Sequence, residues 1–356
     1  MKTIYSMPAC ILSALLTQSA VAQSATTLYG VVDTGITYLS NSGGHSSMSG
    51  TSSVGRPSVL GLRGSEDLGE GLSSIFTLET QIVPGTGRQL NNSTFWGREA
   101  SVGLTNRTWG TLKLGRMPDL SFTDLGILDG TPLIQGGMQS GYTGFSRPAG
   151  QPGPPPPVDL HYGGAVYNNA IKWVNDFGPV RVGLMHSRGD ASGDRMYGAM
   201  VRYTFGGFTL GAAYTKDNFT TAVFARQAFV VKAQYFTGPF IFVANYGVGK
   251  DTTSHAQVRP LELAVQYAPD FRWRLGIGFG YAWATNAVGE KARIQQPFAG
   301  VKYVLSKRTE LYAVAARNHT SDPSVVPATV STPGGAFNVS SSNVMSAVTM
   351  GITHSF

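Results

Sequence analysis

The sequence predicts an all-β protein, a transmembrane antiparallel β-barrel of about sixteen strands with short turns at one end and long loops at the other. Three observations carry that prediction. The 356 residues are 42% hydrophobic and 11% aromatic yet only 13% charged, about half the ~25% charge of an ordinary soluble domain. Outside the extreme N-terminus, no apolar run approaches the ~20 residues that a membrane-spanning helix needs. Apolar side chains recur instead at every second position, the period of a strand with one greasy and one wet face. The aromatic content and the modest net charge of +7 exclude a disordered chain. The 45 glycines lack the three-residue period of collagen.

Residues 1–22 read as a secretory signal peptide, with Lys2 as the positive region, a mostly apolar stretch from Ile4 to Leu16, and Ala20-Val21-Ala22 as the small–x–small cleavage site. The alternative is an N-terminal helix of the mature protein. The sole cysteine, Cys10, lies in this segment, and Met7-Pro8-Ala9 before it is a poor lipobox. Cleavage leaves one barrel domain over 23–356, with 334 residues, a charge of +6 and no cysteine for disulfides, metal thiolates or nucleophiles.

The strand pattern is clearest in 271–284, where Leu275, Ile277, Phe279, Tyr281 and Trp283 share one parity and glycines and alanines hold the other. In 207–216, Phe208, Leu210 and Tyr214 alternate with Thr209, Gly211 and Ala213. In 259–267, Leu261, Leu263, Val265 and Tyr267 lie opposite Glu262, Ala264 and Gln266. In 228–236, Phe229, Val231 and Tyr235 lie opposite Lys232 and Gln234. Seven short turn signals punctuate the chain, at Asp67–Gly71, Thr105–Arg107, Asp176–Pro179, Gly206-Gly207, Thr237–Pro239, Pro269-Asp270 and Ser306–Arg308. Eight longer polar stretches fall near 40–55, 83–94, 117–160, 187–194, 216–226, 250–258, 285–293 and 320–342. Fifteen connections imply sixteen strands, enough to leave an aqueous channel.

The stretch 117–160 is the longest connection and holds Gly136-Gly137, Gly150 and the run Pro154–Pro157. A structureless loop of that length is functional or disordered. Two placements are open: an exposed surface loop, or a loop folded into the lumen. Its position after the fifth strand favours the second.

Several stretches carry a resemblance. LYGVVD (Leu28–Asp33), GLRGSEDLGEGLSSIFTLE (Gly61–Glu79), GREASVGL (Gly97–Leu104), WGTLKLGR (Trp109–Arg116), LSKRTELYAVAA (Leu305–Ala316) and the terminal GITHSF resemble the trimeric general-diffusion porins of Gram-negative outer membranes, in the neisserial and betaproteobacterial branch. The resemblance implies a homotrimer in the outer membrane, in contact with its lipid. It implies a third loop bent inward, and passage for ions and small hydrophilic solutes without a cofactor. It also implies a final aromatic, Phe356, read by the barrel-assembly machinery. At the constriction it places basic wall residues Arg63, Arg98 and Arg116 against loop carboxylates Asp119, Asp124 and Asp129, the last two preferred, with Glu79 added from the third strand. Parity supports Arg63, which lies opposite Leu60 and Leu62. Arg98 shares a parity with Ala100, Val102 and Leu104, so either small apolar groups line the wall there or the alternation is disturbed. One departure stands out: the family's arginine before an Asn pair is missing in Ala165–Asn169, where Tyr167 could narrow the bore instead.

An arginine at the midplane of a barrel's lipid face costs roughly 2–4 kcal/mol, so charges within spans point to wet interiors. By parity Lys172, Arg181, Arg202, Lys232 and Lys302 lie opposite the apolar stripe and are expected to line the pore. Diameter and charge rings then set selectivity, and the basic excess implies a mild preference for anions. A substrate-selective channel is the alternative, with Tyr142, Phe145 and Tyr162 as candidate stacking residues. No basic run suggests nucleic acid. The six histidines show no metal-ligand spacing, and no Walker loop, dinucleotide fingerprint or nucleophile constellation supports an enzyme.

Overall fold

Alternating side chains leave a strand stable in a bilayer only if every backbone group is paired, which requires a closed sheet. The computed structural model, which describes residues 25–90, 94–126, 166–189, 195–218, 226–252, 254–331 and 337–356, has that form. Among the described residues sixteen antiparallel strands make one barrel. They are β1 (Ala25–Ser42), β2 in two stretches (His45–Ser52 and Val59–Gly69), β3 (Leu72–Val83), β4 (Glu99–Asn106), β5 (Gly110–Pro118), β6 (Val166–Phe177), β7 (Val180–Arg188) and β8 (Arg195–Phe205). They continue with β9 (Phe208–Asp217), β10 (Arg226–Thr237), β11 (Phe240–Asp251), β12 (Gln257–Tyr267), β13 (Trp273–Thr285), β14 (Lys291–Val304), β15 (Thr309–Thr320) and β16 (Val344–Ser355). Each strand pairs with the next, and β16 returns to β1 in register from Val31↔Ser355 to Leu39↔Ala347. One short helix, α1 (Leu120–Thr123), follows β5. No helix among the described residues is long and apolar enough to cross a membrane; the crossing is made by strands.

All seven expected short turns join neighbouring strands, and Gly206 and Gly207 make theirs with φ of 50° and 85°. The long connections lie at the opposite end, the outer side of such barrels. Outward positions form the apolar band, with Leu184, Val201, Leu210, Leu263 and Ile277 exposed at mid-height. Aromatic rows bound it. Near the turns, Phe205, Phe208 and Tyr235 stack with centroids 5.4 and 4.1 Å apart. Toward the loops stand Tyr197, Tyr214, Phe229 and Trp283.

The expected loop near 40–55 is corrected. β1 runs on to Ser42, Gly43-Gly44 turns the chain with φ of 63° and 104°, and β2 starts at His45. The irregular part is 53–58, an insertion that bends around the buried Asp33. One Asp33 carboxylate oxygen accepts from the amides of Val54 (2.9 Å) and Gly55 (3.2 Å) and from the Tyr312 hydroxyl (2.9 Å). The other accepts from the Arg56 amide (3.1 Å) and the Thr353 hydroxyl. Asp33 therefore ties β1, the bend, β15 and β16 where the barrel closes. At the same seam Phe356 exchanges backbone hydrogen bonds with Gly30, and its ring covers the space a Gly30 side chain would occupy.

A second inward element was not expected. After β15, Val325 and Val326 turn in and pack where Val258, Ala282, Ala284, Ala292 and Ile294 line the inner face, so those small apolar residues line a dry core rather than the bore; Ala328 joins a separate buried cluster with Leu39, Met345 and Ala347. The expected signal peptide over 1–22, Asp129, Tyr142, Phe145, Tyr162 and Pro154–Pro157 lie outside the described residues.

Candidate functional site

Two stretches of inner wall carry charge, and they use it differently. On β1–β4 one rung of directly paired residues runs Tyr29, Gly61, Glu79, Glu99. Gly61 has no side chain, which lets the Tyr29 ring lie over it and deliver its hydroxyl to Glu79 Oε2 at 2.8 Å. Arg98 closes on the same carboxylate, Nε to Oε1 at 2.6 Å, and reaches Gln81 Oε1 at 3.3 Å. Lys113 Nζ donates to Glu99 Oε1 at 2.8 Å. The Arg63 guanidinium sits 5.1 Å from the centre of the Tyr29 ring, within cation–π range. Arg116 donates to the Gly97 carbonyl at 3.0 Å and to the Asn168 side chain. Glu79, Gln81, Arg98, Glu99, Arg116 and Phe122 line a recess of about 570 Å³.

The backbone explains two orientations that parity alone did not. Arg98 precedes β4, so the strand's alternation does not govern it: Val102 and Leu104 point outward, 58% and 40% exposed, while Arg98 turns back to Glu79. Arg116 follows Gly115, whose φ of 132° and register shift form a bulge. A side chain there would strike the Ala100 carbonyl, and the extra residue re-aims Arg116 toward Gly97 and Asn168.

On β6–β10 the basic residues hold the root of the long loop. Lys172 Nζ lies 3.0 Å from Asp124 Oδ2, 3.2 Å from the Thr123 hydroxyl and 3.3 Å from the Pro118 carbonyl. Arg202 donates to the Asp124 carbonyl at 2.8 Å, and Lys232 donates to the Gly126 carbonyl. Between these anchors the loop buries Leu120 and Leu125, which are 1% and 0% exposed. Leu120 sits where a side chain at Gly183 would be, 2.7 Å from that position, and Leu125 occupies the hollow at Gly211. Met117, Tyr167, Met185, Met196 and Met200 complete this apolar contact inside the barrel.

The expected site residues are thus split. Arg63, Arg98, Arg116 and Glu79 gather on one wall. Asp119 does not join them: it is fully buried and caps α1, accepting from the Phe122 amide at 3.1 Å and the Thr215 hydroxyl at 3.3 Å. Asp124 faces the opposite wall, on Lys172. Lys172, Lys232 and Lys302 point inward as parity requires, but at 8%, 4% and 5% exposure they line packing contacts rather than open water. Lys302 pairs with Glu310 at 3.0 Å. Arg181 makes a two-pronged pair with Asp176, both contacts 2.8 Å, near the short-turn end. Tyr167 does not narrow the bore, being buried with its hydroxyl 2.7 Å from Asp217 Oδ2. Sequence reasoning missed Tyr29, Glu99 and Lys113. Lys113 stands between outward Leu112 and Leu114, so its parity was the available signal.

A closed barrel of this strand number, with charged inner walls and a loop pinned inside, defines the class of outer-membrane β-barrel channels. The profile of the Gram-negative porins matches residues 9–323. An outer membrane porin protein of Bordetella pertussis is 34% identical over 125 residues, 31% of this chain and 32% of that protein, so the match spans about a third of the relative's length. The anion-selective porin from Comamonas acidovorans has the same fold, with a TM-score of 0.76 at 23% identity over 94% of this chain and 100% of that one. OmpT of Vibrio cholerae in its trimer form follows, at 0.68 and 13% identity over 94% and 99%. The chain belongs to the Gram-negative porin family, and its place is the Gram-negative outer membrane.

Proposed function

We propose that the protein is a passive channel for ions and small hydrophilic solutes, with a mild preference for anions. The observation that supports this reading is the charge of the β1–β5 wall. Arg63, Arg98, Lys113 and Arg116 stand there with Glu79 and Glu99, a formal charge of +2 along the wall, and Arg98, Arg116, Glu79 and Glu99 of this set line the recess. Fixed cations beside a narrow aqueous path lower the barrier for anions and raise it for cations. A solute with a strong dipole can orient in the field between those groups, while an apolar one must displace ordered water without return. Because Lys172, Arg202 and Lys232 are occupied by the loop, the preference is expected to be weaker than the total of basic residues implies. Reversal potentials of the wild-type chain in a planar bilayer under a potassium chloride gradient test the reading. A potential of the anion-selective sign is expected, and clear cation selectivity would overturn it. A concentration-dependent block of current by neutral sugars would favour a substrate-selective channel instead.

The same reading includes a cleaved leader over 1–22, a homotrimer, and Phe356 as the residue that the barrel-assembly machinery reads. The trimer draws support from the family and from OmpT.

A further inference from the structure

The interruption of β2 places residues inside the barrel that the long loop does not supply. Thr34 of β1 pairs with Ser52 and Val31 with Val59, so residues 53–58 stand opposite only Val32 and Asp33. The surplus chain must leave the sheet, and it leaves toward the lumen. Val54 is 1% exposed and joins the inward side chains Phe298, Tyr312 and Val314. Hydrogen bonds close the neck of the bend. Ser53 turns off the strand with φ of 63°, and its amide donates to the Asp33 carbonyl at 3.1 Å. The Ser58 amide donates to the Ser53 hydroxyl at 2.9 Å, and the Ser58 hydroxyl donates to the Asp33 carbonyl at 3.0 Å. Lys302 of β14 supports the far side, its Nζ 3.4 Å from the Gly55 carbonyl. A bend tied at both ends and braced from across the seam keeps one shape.

Arg56 is left out of this packing. Ser53, Val54, Gly55 and Ser58 are buried, whereas Arg56 is exposed. Its Nη1 lies 3.4 Å from the hydroxyl of Ser355, whose amide donates to the Arg308 carbonyl of the short turn between β14 and β15. The bend therefore carries Arg56 to the short-turn mouth of the bore. Arg274 stands beside it. It takes the inward parity between the outward Trp273 and Leu275, and it pairs directly with Lys302. Glu310 neutralises Lys302 at 3.0 Å. Among the described residues neither the Arg56 nor the Arg274 guanidinium is held in an ion pair. The Glu79 rung stands higher in the barrel, past the middle of β3 counted from its turn at Leu72.

We infer that the 53–58 bend is a second narrowing of the bore, separate from the long loop, and that Arg56 and Arg274 are specificity residues there for small anions such as carboxylates and phosphate monoesters. A guanidinium offers such groups two parallel donors from one planar fork, and the Ser355 hydroxyl adds a third beside Arg56. Unpaired cations at one mouth also make the field along the bore asymmetric, so the current–voltage curve rectifies. The inference rests on the reading of the chain as an open channel, and not on the sign of its overall preference.

Cys10 is the sole cysteine, so Arg56→Cys in a Cys10→Ser background offers a single thiol. The substitution keeps the backbone amide that Asp33 holds. Channels are recorded in a planar bilayer under a potassium chloride gradient, before and after a cationic or an anionic methanethiosulfonate. Arg56→Cys is expected to lower the chloride-to-potassium permeability ratio about twofold. The cationic reagent should return it toward the wild-type value, and the anionic one should lower it further and reduce conductance. Arg274→Gln, with the bend untouched, should also lower the ratio, and every shift should shrink as salt is raised. A thiol that fails to react would place Arg56 outside the water path and overturn the proposal. Complete labelling by mass with an unmoved ratio, or an Arg274→Gln channel indistinguishable from wild type, would overturn it too. A cation-selective wild type with the opposed reagent shifts intact would count against the anion preference proposed above and still support this second station.

Discussion

The walls β1–β5 and β6–β10 carry the same residue types to different ends. On β1–β5 the cations are partly open: Arg98 and Lys113 keep 26% and 21% of their side chains exposed, and Arg98 lines the recess. On β6–β10 Lys172 and Lys232 are nearly shut off from solvent, satisfied by carbonyls, a hydroxyl and Asp124. A buried ammonium ion is tolerated only when partners replace its water, so the second set is committed to structure. An inward-facing lysine in a barrel is therefore not by itself a pore charge. What decides its work is whether backbone oxygens are brought to it.

That division can be broken most forcefully at the anchors. Lys172→Met/Lys232→Met strips partners from Asp124 and from the Pro118 and Gly126 carbonyls. Removing one side of a buried pair costs about 3–5 kcal/mol. The unfolding midpoint in detergent should fall sharply and the open-channel current should grow noisy, with little change in ion preference. A large selectivity shift at unchanged stability would contradict the assignment. Gly211→Val tests the same wall without touching charge. Its side chain meets Leu125, and overpacking of this kind costs about 1–3 kcal/mol; a changed single-channel conductance at normal ion preference is expected. The smallest stability effect belongs to the other wall. Arg63→Ala should move the reversal potential toward the cation side while stability changes by no more than ~0.5 kcal/mol, and an unmoved potential would remove Arg63 from the selective region.

The barrel was legible because a two-residue period recurs along the strands, and short clusters of Gly, Pro, Asp and Asn mark most of the turns. The hairpin at Gly43-Gly44 was obscured by composition. Ser46, Ser47 and Ser49 look like a loop, and the strand around them is held by pairing with β1 rather than by propensity. At the site, Arg63 was readable from parity alone. Arg98 and Arg116 were not, since one lies just outside a strand and the other beyond a bulge, and parity fails at both. Asp119 misled because a carboxylate before Leu-Ser-Phe reads as charge, whereas its side chain caps a helix too short to show a period. Gly211 read only as a small residue on the wet face of its strand, and nothing in the sequence singled out Gly183. Their use as sockets for Leu120 and Leu125 depends on a contact between residues far apart in the chain.

The seam between β1 and β16 brings together residues such as Thr37 and Thr349, whose hydroxyls lie 2.6 Å apart across 312 positions of chain. No shorter path closes the ring. Until the last dozen residues arrive, both ends of a wide sheet present unpaired amides and carbonyls, a template for any other extended segment nearby. High contact order also makes such pairings slow to form. The growing sheet must therefore be shielded while it waits. Asp33, already held by amides of the bend, gives Tyr312 of β15 and Thr353 of β16 a common anchor on β1 when those strands dock.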